Sequence, residues 1–315
     1  MQHNVIALLK ELRAYALVKG IQAAIFYHEE DSYLMRFANS AISLNTNEHL
    51  VRLQISVYAG NKRADYLIIA DPAQIEPMKR AIDTAAEMAS LAEPLSYTPT
   101  VPVYDEDVID MRAFDPFLAG TTNAERLEFF NTLARGLETE ELKLSGVFSN
   151  GITTTAQIST ESEHTQFFAC TGASITAVLS HQTLKWEVNA LQSAQAKTDL
   201  DPVALRSELV FLVKQYSEQP AIQLPLGKYT VVFGAAAVGD ILDMFNWYGP
   251  NGGMMKRGYS FLSEESLGKQ VFSARFTLTD DPRCLPTYPV SRDLMGKRRE
   301  RFPLFEGGVL RAFLW

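Results

Sequence analysis

The sequence contains only two cysteines, Cys170 and Cys284, which lie far apart and in no Cys-x-x-Cys pair. A disulfide framework is therefore not expected, and this usage predicts a reduced, cytoplasmic protein whose thiols are both structural. No apolar run approaches the roughly 18 residues that a membrane-spanning helix needs. The first residues carry neither a cationic lead nor a small-residue cleavage site, so we do not expect export.

Positive charge is also scarce, since 29 lysines and arginines stand against 37 aspartates and glutamates, for a net charge of −8. This balance gives little electrostatic support for a nucleic-acid partner. The one basic cluster is Lys297-Arg-Arg-Glu-Arg301. It predicts a solvated loop, and a docking site for an acidic partner is the alternative interpretation.

Several common catalytic motifs are missing as well. The chain has no Gly-x-Ser-x-Gly, no Walker loop and no Gly-x-Gly-x-x-Gly. An α/β-hydrolase serine and a phosphate-binding loop are therefore unsupported. What remains is an ordinary globular composition, with 47% hydrophobic and 21% charged residues in 315 positions, enough for two or three modest domains.

The same order of predicted elements occurs twice along the first 220 residues. A helix with one apolar face, comprising Val5, Leu8, Leu9, Leu12 and Ala16, ends at Gly20. Strand-like runs follow at 22–27, 33–38, 50–58 and 65–69, with turns at 28–31 and 60–61, and Asp71-Pro72 begins a helix reaching Leu91. The second series has a helical stripe at Leu127, Phe130, Leu133, Ala134 and Leu137, runs at 143–149, 153–159, 166–170, 174–179 and 184–190, and an Asp201-Pro202 helix to Tyr216.

Antiparallel meanders between segregated helices predict an α+β fold, because parallel strands would need a crossover after each strand. We interpret the two series as helix–meander–helix units from an internal duplication; the alternative is that Asp-Pro is simply a common helix start. The predicted domains are an N-terminal α+β domain at 1–95, a linker at 96–120, a central α+β domain at 121–220 and a mixed, β-rich C-terminal domain at 221–315. Pro220 and Pro225 flank the last boundary.

Residues 228–282 carry the most specific order of elements. Lys228–Gly234 predicts a buried strand, Ala235–Phe245 a helix and Gly249–Gly253 a turn, before Arg257–Leu262 and Phe276–Pro282. This order resembles the C-terminal part of the TldD/PmbA (TldD/TldE) family of bacterial peptide-processing metalloproteases, also labelled modulators of DNA gyrase.

Shorter pieces elsewhere add to the resemblance. Leu304-Phe-Glu-Gly-Gly-Val-Leu310 is similar to a family strand pair, and Ser149-Asn-Gly151 is similar to a central turn. Phe37-Ala-Asn-Ser40 followed by Ser56–Gly60 is similar to the family's N-terminal hairpin. Family members usually run well past the position of Trp315. The completeness of the predicted C-terminal domain is therefore left open.

In the zinc-bearing branch of this family the helix begins His-Glu-Ala-Val-Gly-His. Aligned on Val238-Gly239, those ligand and catalytic positions are Ala235, Ala236 and Asp240 here. Alanine has no lone pair for a cation and cannot act as a general base. The resemblance therefore implies no catalytic residue, no metal and no cofactor in this chain, with zinc expected only in a TldD-like partner. Close packing of an alanine-rich helix is the structural alternative for this segment.

Other potential ligands are predicted to have structural roles. Glu161-Ser-Glu163-His164 and His28-Glu-Glu-Asp31 fall where charged residues usually mark turns. His181 and Glu187 flank a hairpin-like Gln182-Thr183, which favours cross-strand pairing on a solvent face. His3 and His49 have no evident partner in the sequence.

A peptide-binding edge is the remaining candidate site. Gly252 and Gly253 can bring backbone N–H groups close to a ligand. Arg257, Tyr259 and Ser260 then follow in a predicted strand or sheet edge, which could hold an extended peptide by backbone pairing. The alternative is an ordinary loop followed by an interior strand.

The resemblance implies a PmbA/TldE-like, non-catalytic subunit of a metalloprotease complex, which shapes a chamber for unfolded peptides while a zinc-bearing TldD-like subunit performs proteolysis. A standalone peptide-binding or scaffold homodimer without proteolytic activity is the alternative. A third hypothesis, an autonomous peptidase with different ligands, requires Asp240 to lie near two His or Glu side chains.

Overall fold

The computed structural model describes residues 2–39, 41–217, 222–287 and 289–315. The helices are α1 Gln2–Val18, α2 Ile75–Leu91, α3 Pro116–Ala119, α4 Asn123–Ala134, α5 Pro202–Ser217, α6 Ala235–Tyr248 and α7 Gly252–Lys256. The strands are β1 Gln22–Ala38, β2 Ala41–Ala59, β3 Lys62–Ile69, β4 Val108–Ala113, β5 Leu142–Ser159, β6 Ser162–His181, β7 Glu187–Ala194, β8 Leu278–Asp280, β9 Phe302–Glu306 and β10 Val309–Leu310. The predicted α+β class is confirmed. None of the described helices is both long and apolar enough to cross a membrane.

The chain divides into two compact units. The first contains residues 1–219 together with 290–298, and the second contains residues 220–289 together with 299–315. The predicted domains at 1–95 and 121–220 both belong to the first unit and share its sheet. The boundary predicted at Pro220 lies outside the described residues.

The first unit is built on a seven-stranded sheet with the order β3-β2-β1-β5-β6-β4, and β7 also pairs with β6. Only β4 is parallel to its neighbour; the other pairs are antiparallel. The series α1-β1-β2-β3-α2 therefore recurs as α4-β5-β6-β7-α5, and the two halves join where β1 pairs with β5. The predicted repeat of helix, meander and helix is confirmed in element order.

The strands are longer than their sequence patterns predict. The turn expected at 28–31 is wrong, because β1 continues through it with β2 on one side and β5 on the other. The turn expected at Ser149-Asn-Gly151 is also wrong, since β5 pairs with β1 and β6 there. Hydrogen bonds on both sides outweigh the local turn preference of polar residues. A Cβ at Gly151 would lie 2.4 Å from the Asp31 carbonyl oxygen, so this glycine permits a close approach of the strands.

The two Asp-Pro pairs behave differently. The Asp201 carboxylate accepts hydrogen bonds from the backbone N–H groups of Val203 and Ala204, at 3.0 and 2.9 Å, and α5 begins at Pro202 as predicted. The Asp71 carboxylate instead accepts from Ala73, in a turn that the Gln74 N–H closes onto the Asp71 carbonyl. The helix predicted to start there begins only at Ile75. A single aspartate can cap a helix or stabilise a turn, and the local motif does not distinguish them.

The helix pair α1 and α2 and the helix pair α4 and α5 pack on the same face of this sheet. Ala23, Ile25 and Tyr27 of β1 belong to the apolar cluster under α1 and α2, whereas Met35 belongs to the cluster under α4 and α5. All four positions are odd, so their side chains point to the same face of the strand. The residues between them on that face are Glu29, Asp31 and Tyr33. A polar strip therefore separates the two apolar clusters.

The predicted linker at 96–120 contains strand β4 and helix α3, which its composition did not indicate. Residues 96–107 have no helix or strand, but β4 follows and pairs with β6 in parallel. Asp110 of β4 is buried, and its carboxylate accepts hydrogen bonds from the Arg112 guanidinium and from the Ser291 backbone N–H, at 2.9 and 3.2 Å. Asp110 thus attaches the returning segment 290–298 to the sheet.

This attachment predicts an acid-sensitive contribution to stability. Burial raises the pKa of Asp110, but the bonds from Arg112, Ser291 and the Arg112 backbone outweigh it and lower that pKa to about 2. Because the folded state binds this proton less readily than the unfolded chain, the contribution is present above about pH 4 and is lost as the pH falls towards 2. Asp110→Asn should reduce the free energy of unfolding by about 2 kcal/mol at pH 7, as measured by urea unfolding.

The exposed Asp105, five residues earlier, provides the control. Asp105→Asn should leave the free energy of unfolding within about 0.5 kcal/mol of the parent protein. The deficit of Asp110→Asn should shrink towards zero at pH 2.5. A deficit that stays constant between pH 7 and pH 2.5 would contradict the assigned pKa.

The second unit has a small core and little sheet. Strands β8, β9 and β10 form a three-stranded sheet, and Gly307 and Gly308 connect β9 to β10 with φ angles of 55° and 78°. The strand pair predicted from the 304–310 motif is confirmed. At the end of β8, Asp280 pairs with Arg299, whereas the next residue, Asp281, pairs with Arg283, so the two adjacent carboxylates point to different partners.

The buried strand predicted at Lys228–Gly234 is wrong. These residues form no strand, and their side chains are exposed. An apolar, β-branched run becomes a strand only where a neighbouring strand pairs with it, and no described strand does so here. The helix predicted to follow is confirmed as α6.

Candidate functional site

The family-derived positions lie on the first turns of α6. Ala235, Ala236 and Asp240 are all exposed, and Gly234 precedes the helix without a side-chain cap. Two methyl groups and one carboxylate do not provide a zinc site, which needs at least three nitrogen, sulfur or oxygen ligands from the protein. The residues present therefore do not fit the metal that the zinc-bearing branch holds at this position. Within the described ranges, Asp240 belongs to no group of three potential ligands, which the hypothesis of an autonomous peptidase requires.

The predicted peptide-binding edge has a different local structure. Gly252 and Gly253 lie in the short helix α7, and Arg257 ends it. The Gly252 N–H donates to the Leu314 carbonyl at 2.7 Å, and a Cβ on Gly252 would lie 2.7 Å from the Trp315 ring. This N–H is therefore occupied within the unit.

The residues after α7 form turns instead of the expected strand. The Ser260 hydroxyl donates to the Gly249 carbonyl at 2.7 Å and accepts from the Leu262 N–H at 3.0 Å. Arg257 and Tyr259 have exposed side chains. Of the five predicted residues, these two have exposed side chains, whereas Gly252 and Ser260 use polar groups to hold the local fold.

Exposed apolar side chains lie close in sequence to the family-derived positions. They come from the extended segment before α6 and from α6 itself, and they are Tyr229, Val231, Val232, Phe233, Val238, Ile241, Met244 and Trp247. We call this set the α6 surface. Large apolar side chains that are exposed together mark an interaction site where they form a contiguous patch. Sequence reasoning missed this surface because it expected 228–234 to be buried.

A second group of functional side chains lies in the first unit, on the polar strip. Glu29 and Asp31 are two residues apart on β1 and so share a face, and His49 lies opposite Asp31 on β2. The His49 Nε2 atom is 2.8 Å from Glu29 Oε1 and 3.9 Å from Asp31 Oδ1. The sequence offered a signal for this group: two carboxylates at i and i+2 of one strand. The predicted turn at 28–31 concealed it.

Hydrogen bonds and burial organise this group. The Tyr27 hydroxyl donates to Glu29 Oε2 at 2.9 Å, and burial together with the Glu29 charge raises the pKa of Tyr27, so the hydroxyl stays protonated. The hydrogen bond to Glu29 raises the pKa of His49 against a smaller opposing effect of burial. The neighbouring His28 and Glu30 pair with one another at 2.7 Å on the opposite face of β1.

The other histidine candidates have structural contacts. The Glu161–His164 stretch begins at the turn between β5 and β6, as predicted, and His164 Nδ1 lies 3.7 Å from the Asp107 carboxylate. His181 lies 3.4 Å from the Glu141 carboxylate, so its predicted pairing with Glu187 is wrong. Glu187 instead accepts a hydrogen bond from the Ser180 hydroxyl.

Known proteins share this fold. A Bacteroides thetaiotaomicron protein, a proposed modulator of DNA gyrase, is 18% identical with a TM-score of 0.81, over 98% of this chain and 71% of its own. A proposed modulator of a DNA gyrase from Thermotoga maritima is 16% identical with a TM-score of 0.80, over 98% and 70%. TldE from Thermococcus kodakarensis is 14% identical with a TM-score of 0.77, over 99% and 70%. No curated protein sequence matches the chain.

These likenesses define the class: an α+β protein with the fold of TldE and the proposed gyrase modulators. Residues 226–315 match the family model of the PmbA/TldA metallopeptidase C-terminal domain. This part of the chain is thus similar to the TldD/PmbA family, in agreement with the resemblance found in its sequence.

Proposed function

We propose that this chain is a PmbA/TldE-like subunit, with no metal at α6, of a TldD/TldE-type metalloprotease complex in the cytoplasm. In this proposal a TldD-like subunit supplies the zinc and the chemistry, and this chain helps to hold an unfolded peptide. The observation that carries the proposal is the donor chemistry of α6: Ala235 and Ala236 have no atom that can bind a cation or accept a proton.

The exposure of the α6 surface is an argument for a partner subunit that covers it. Its apolar side chains adjoin the positions that bear zinc ligands in the other branch of the family. Burial of such side chains contributes roughly 25 cal/mol per Å² of apolar area, which can drive subunit association. We therefore propose the TldD-like subunit as the occupant of this surface.

The second candidate is a standalone peptide-binding or scaffold homodimer. The exposure of the α6 surface also favours this candidate, since two copies of that surface could cover one another. The discriminating measurement is the mass of the purified protein, first alone and then after co-expression with a homologue that carries His-Glu-x-x-x-His. A heterodimer forms only under the first proposal.

Hydrolysis of an unfolded peptide tests the proposal directly. The chain alone should give no cleavage above background, whereas the co-expressed complex should cleave the peptide and lose this activity with a chelator. Ile241→Glu should weaken assembly and hydrolysis at least roughly tenfold, because it places a charge on an apolar contact surface. Leu91→Glu, at an exposed leucine that ends α2, is the matched control and should leave both unchanged. Chelator-sensitive cleavage by this chain alone would overturn the proposal.

A further inference from the structure

Three side chains with metal-binding atoms converge on the polar strip between the two helix pairs. They are Glu29, Asp31 and His49, and one ligand atom from each lies within 4.8 Å of the others. This is the group of three potential ligands found within the described residues, and it lies in a different unit from α6. Its chemistry is therefore independent of the family-derived position.

The charges of this group favour a cation. Both carboxylates point to one face of β1, where they repel one another unless a positive charge lies between them. Their ion pairs among the described residues both go to His49, so a single imidazole serves two carboxylates. A divalent ion could neutralise both carboxylates together, which one imidazolium cannot.

The geometry also fits a metal ion. In a tetrahedral zinc site, bonds of about 2.0–2.2 Å place neighbouring ligand atoms roughly 3.3 Å apart. The observed separations of His49 Nε2, 2.8 Å from Glu29 Oε1 and 3.9 Å from Asp31 Oδ1, lie on either side of that value. All three ligand atoms lie within 4.8 Å of one another, so small side-chain rotations would bring them to this spacing.

The hydrogen bond from Tyr27 and the exposure of the three side chains also suit a metal site. The Tyr27 hydroxyl holds Glu29 Oε2, which leaves Oε1 directed at His49; such outer hydrogen bonds orient the ligands of natural metal sites. The Glu29 side chain is 11% exposed, whereas those of His49 and Asp31 are 53% and 32% exposed. One side of the group is thus anchored in the sheet, and the other is open to an ion and to further ligands.

We propose that Glu29, Asp31 and His49 form a binding site for one divalent transition-metal ion of the Zn²⁺ class, with at least one coordination position left open. An imidazole nitrogen with two carboxylate oxygens favours Zn²⁺ over Mg²⁺ and Ca²⁺, which prefer all-oxygen sites. The expectation that this chain holds no metal then applies to α6 alone.

Calorimetric titration of the chelator-treated, full-length chain with Zn²⁺ alone tests this site. We expect saturation at one ion per chain and no displacement by a hundredfold excess of Mg²⁺. Glu29→Gln, Asp31→Asn and His49→Gln should each weaken binding at least tenfold. Tyr27→Phe should weaken it less, because it removes only the hydrogen bond that orients Glu29.

His28→Gln and Glu30→Gln are the matched controls, since they alter the same two residue types on the opposite face of the same strand. Both should bind Zn²⁺ like the parent chain. Circular dichroism should show that all variants are folded, and Co²⁺ substitution should give visible d–d absorption that His49→Gln abolishes. Absence of saturable Zn²⁺ binding, or binding unaffected by His49→Gln and Glu29→Gln, would overturn the site. No peptide or partner enters this experiment, so its failure leaves the proposed function standing.

Discussion

Replacement of Phe305 by alanine is expected to destabilise the second unit by about 3–5 kcal/mol. Phe305 is fully buried, and the rings of Phe245, Phe272 and Phe276 surround it with centroid distances of 5.7, 5.2 and 5.6 Å. Among the described residues of this unit, only four others in the apolar cluster are buried. A cavity at its centre therefore removes contacts that the unit cannot replace.

Tryptophan fluorescence during urea unfolding can follow each unit separately. Trp247 and Trp315 belong to the second unit, and Trp186 belongs to the first. In a Trp186→Phe background, Phe305→Ala should lower the urea midpoint of the Trp247 and Trp315 signal. The control is Phe302→Ala in the same strand, because Phe302 is 39% exposed and should cost far less. Equal losses in the two variants would contradict the central role of Phe305.

Gly146→Ala is expected to destabilise the first unit by about 1–3 kcal/mol, the usual cost of overpacking. A Cβ at Gly146 would lie 2.1 Å from the Thr176 carbonyl oxygen and 2.6 Å from the Phe37 ring. Gly146 pairs with Phe37 on β1 and with Ala177 on β6, so strands on both sides would have to move. Trp186, which packs against His181 and Tyr216 in this half of the unit, should report an earlier unfolding transition.

Gly172→Ala provides the control for this substitution. Gly172 lies in the adjacent strand β6, and a Cβ there would meet no atom within 4 Å. Alanine should be neutral or slightly stabilising at Gly172, because it restricts the unfolded chain. If Gly146→Ala were equally neutral, the close packing of β5 against its neighbours would be refuted.

Local patterns predicted the helices better than the strands. The spacing of Val5, Leu9, Leu12 and Ala16 identified the buried face of α1, since helix periodicity is a property of neighbouring residues. Strand length is set by partners distant in sequence. The polar stretch at 28–31 stays extended because β5, more than 100 residues later, pairs with it.

The two candidate sites also differ in whether their signal is local in sequence or depends on distant residues. The order of elements around α6 led to the family resemblance and to Ala235, Ala236 and Asp240, because that signal is contained in a contiguous stretch. The contact of His49 with Glu29 and Asp31 depends on the register of β1 against β2. The turn predicted at 28–31 concealed the two carboxylates that the sheet keeps on one strand, so the sequence analysis did not find the group.

The return of residues 290–298 to the first unit constrains how the gene can be divided. Any fragment that stops before residue 290 leaves Asp110 without the Ser291 N–H and Gln157 without the Asp293 carbonyl, two hydrogen bonds of the sheet unit. A fragment that starts after residue 222 contains residues 290–298 but lacks the strands of the first unit on which they pack. Intact expression of either half therefore requires a transplanted or circularly permuted segment, not a single truncation.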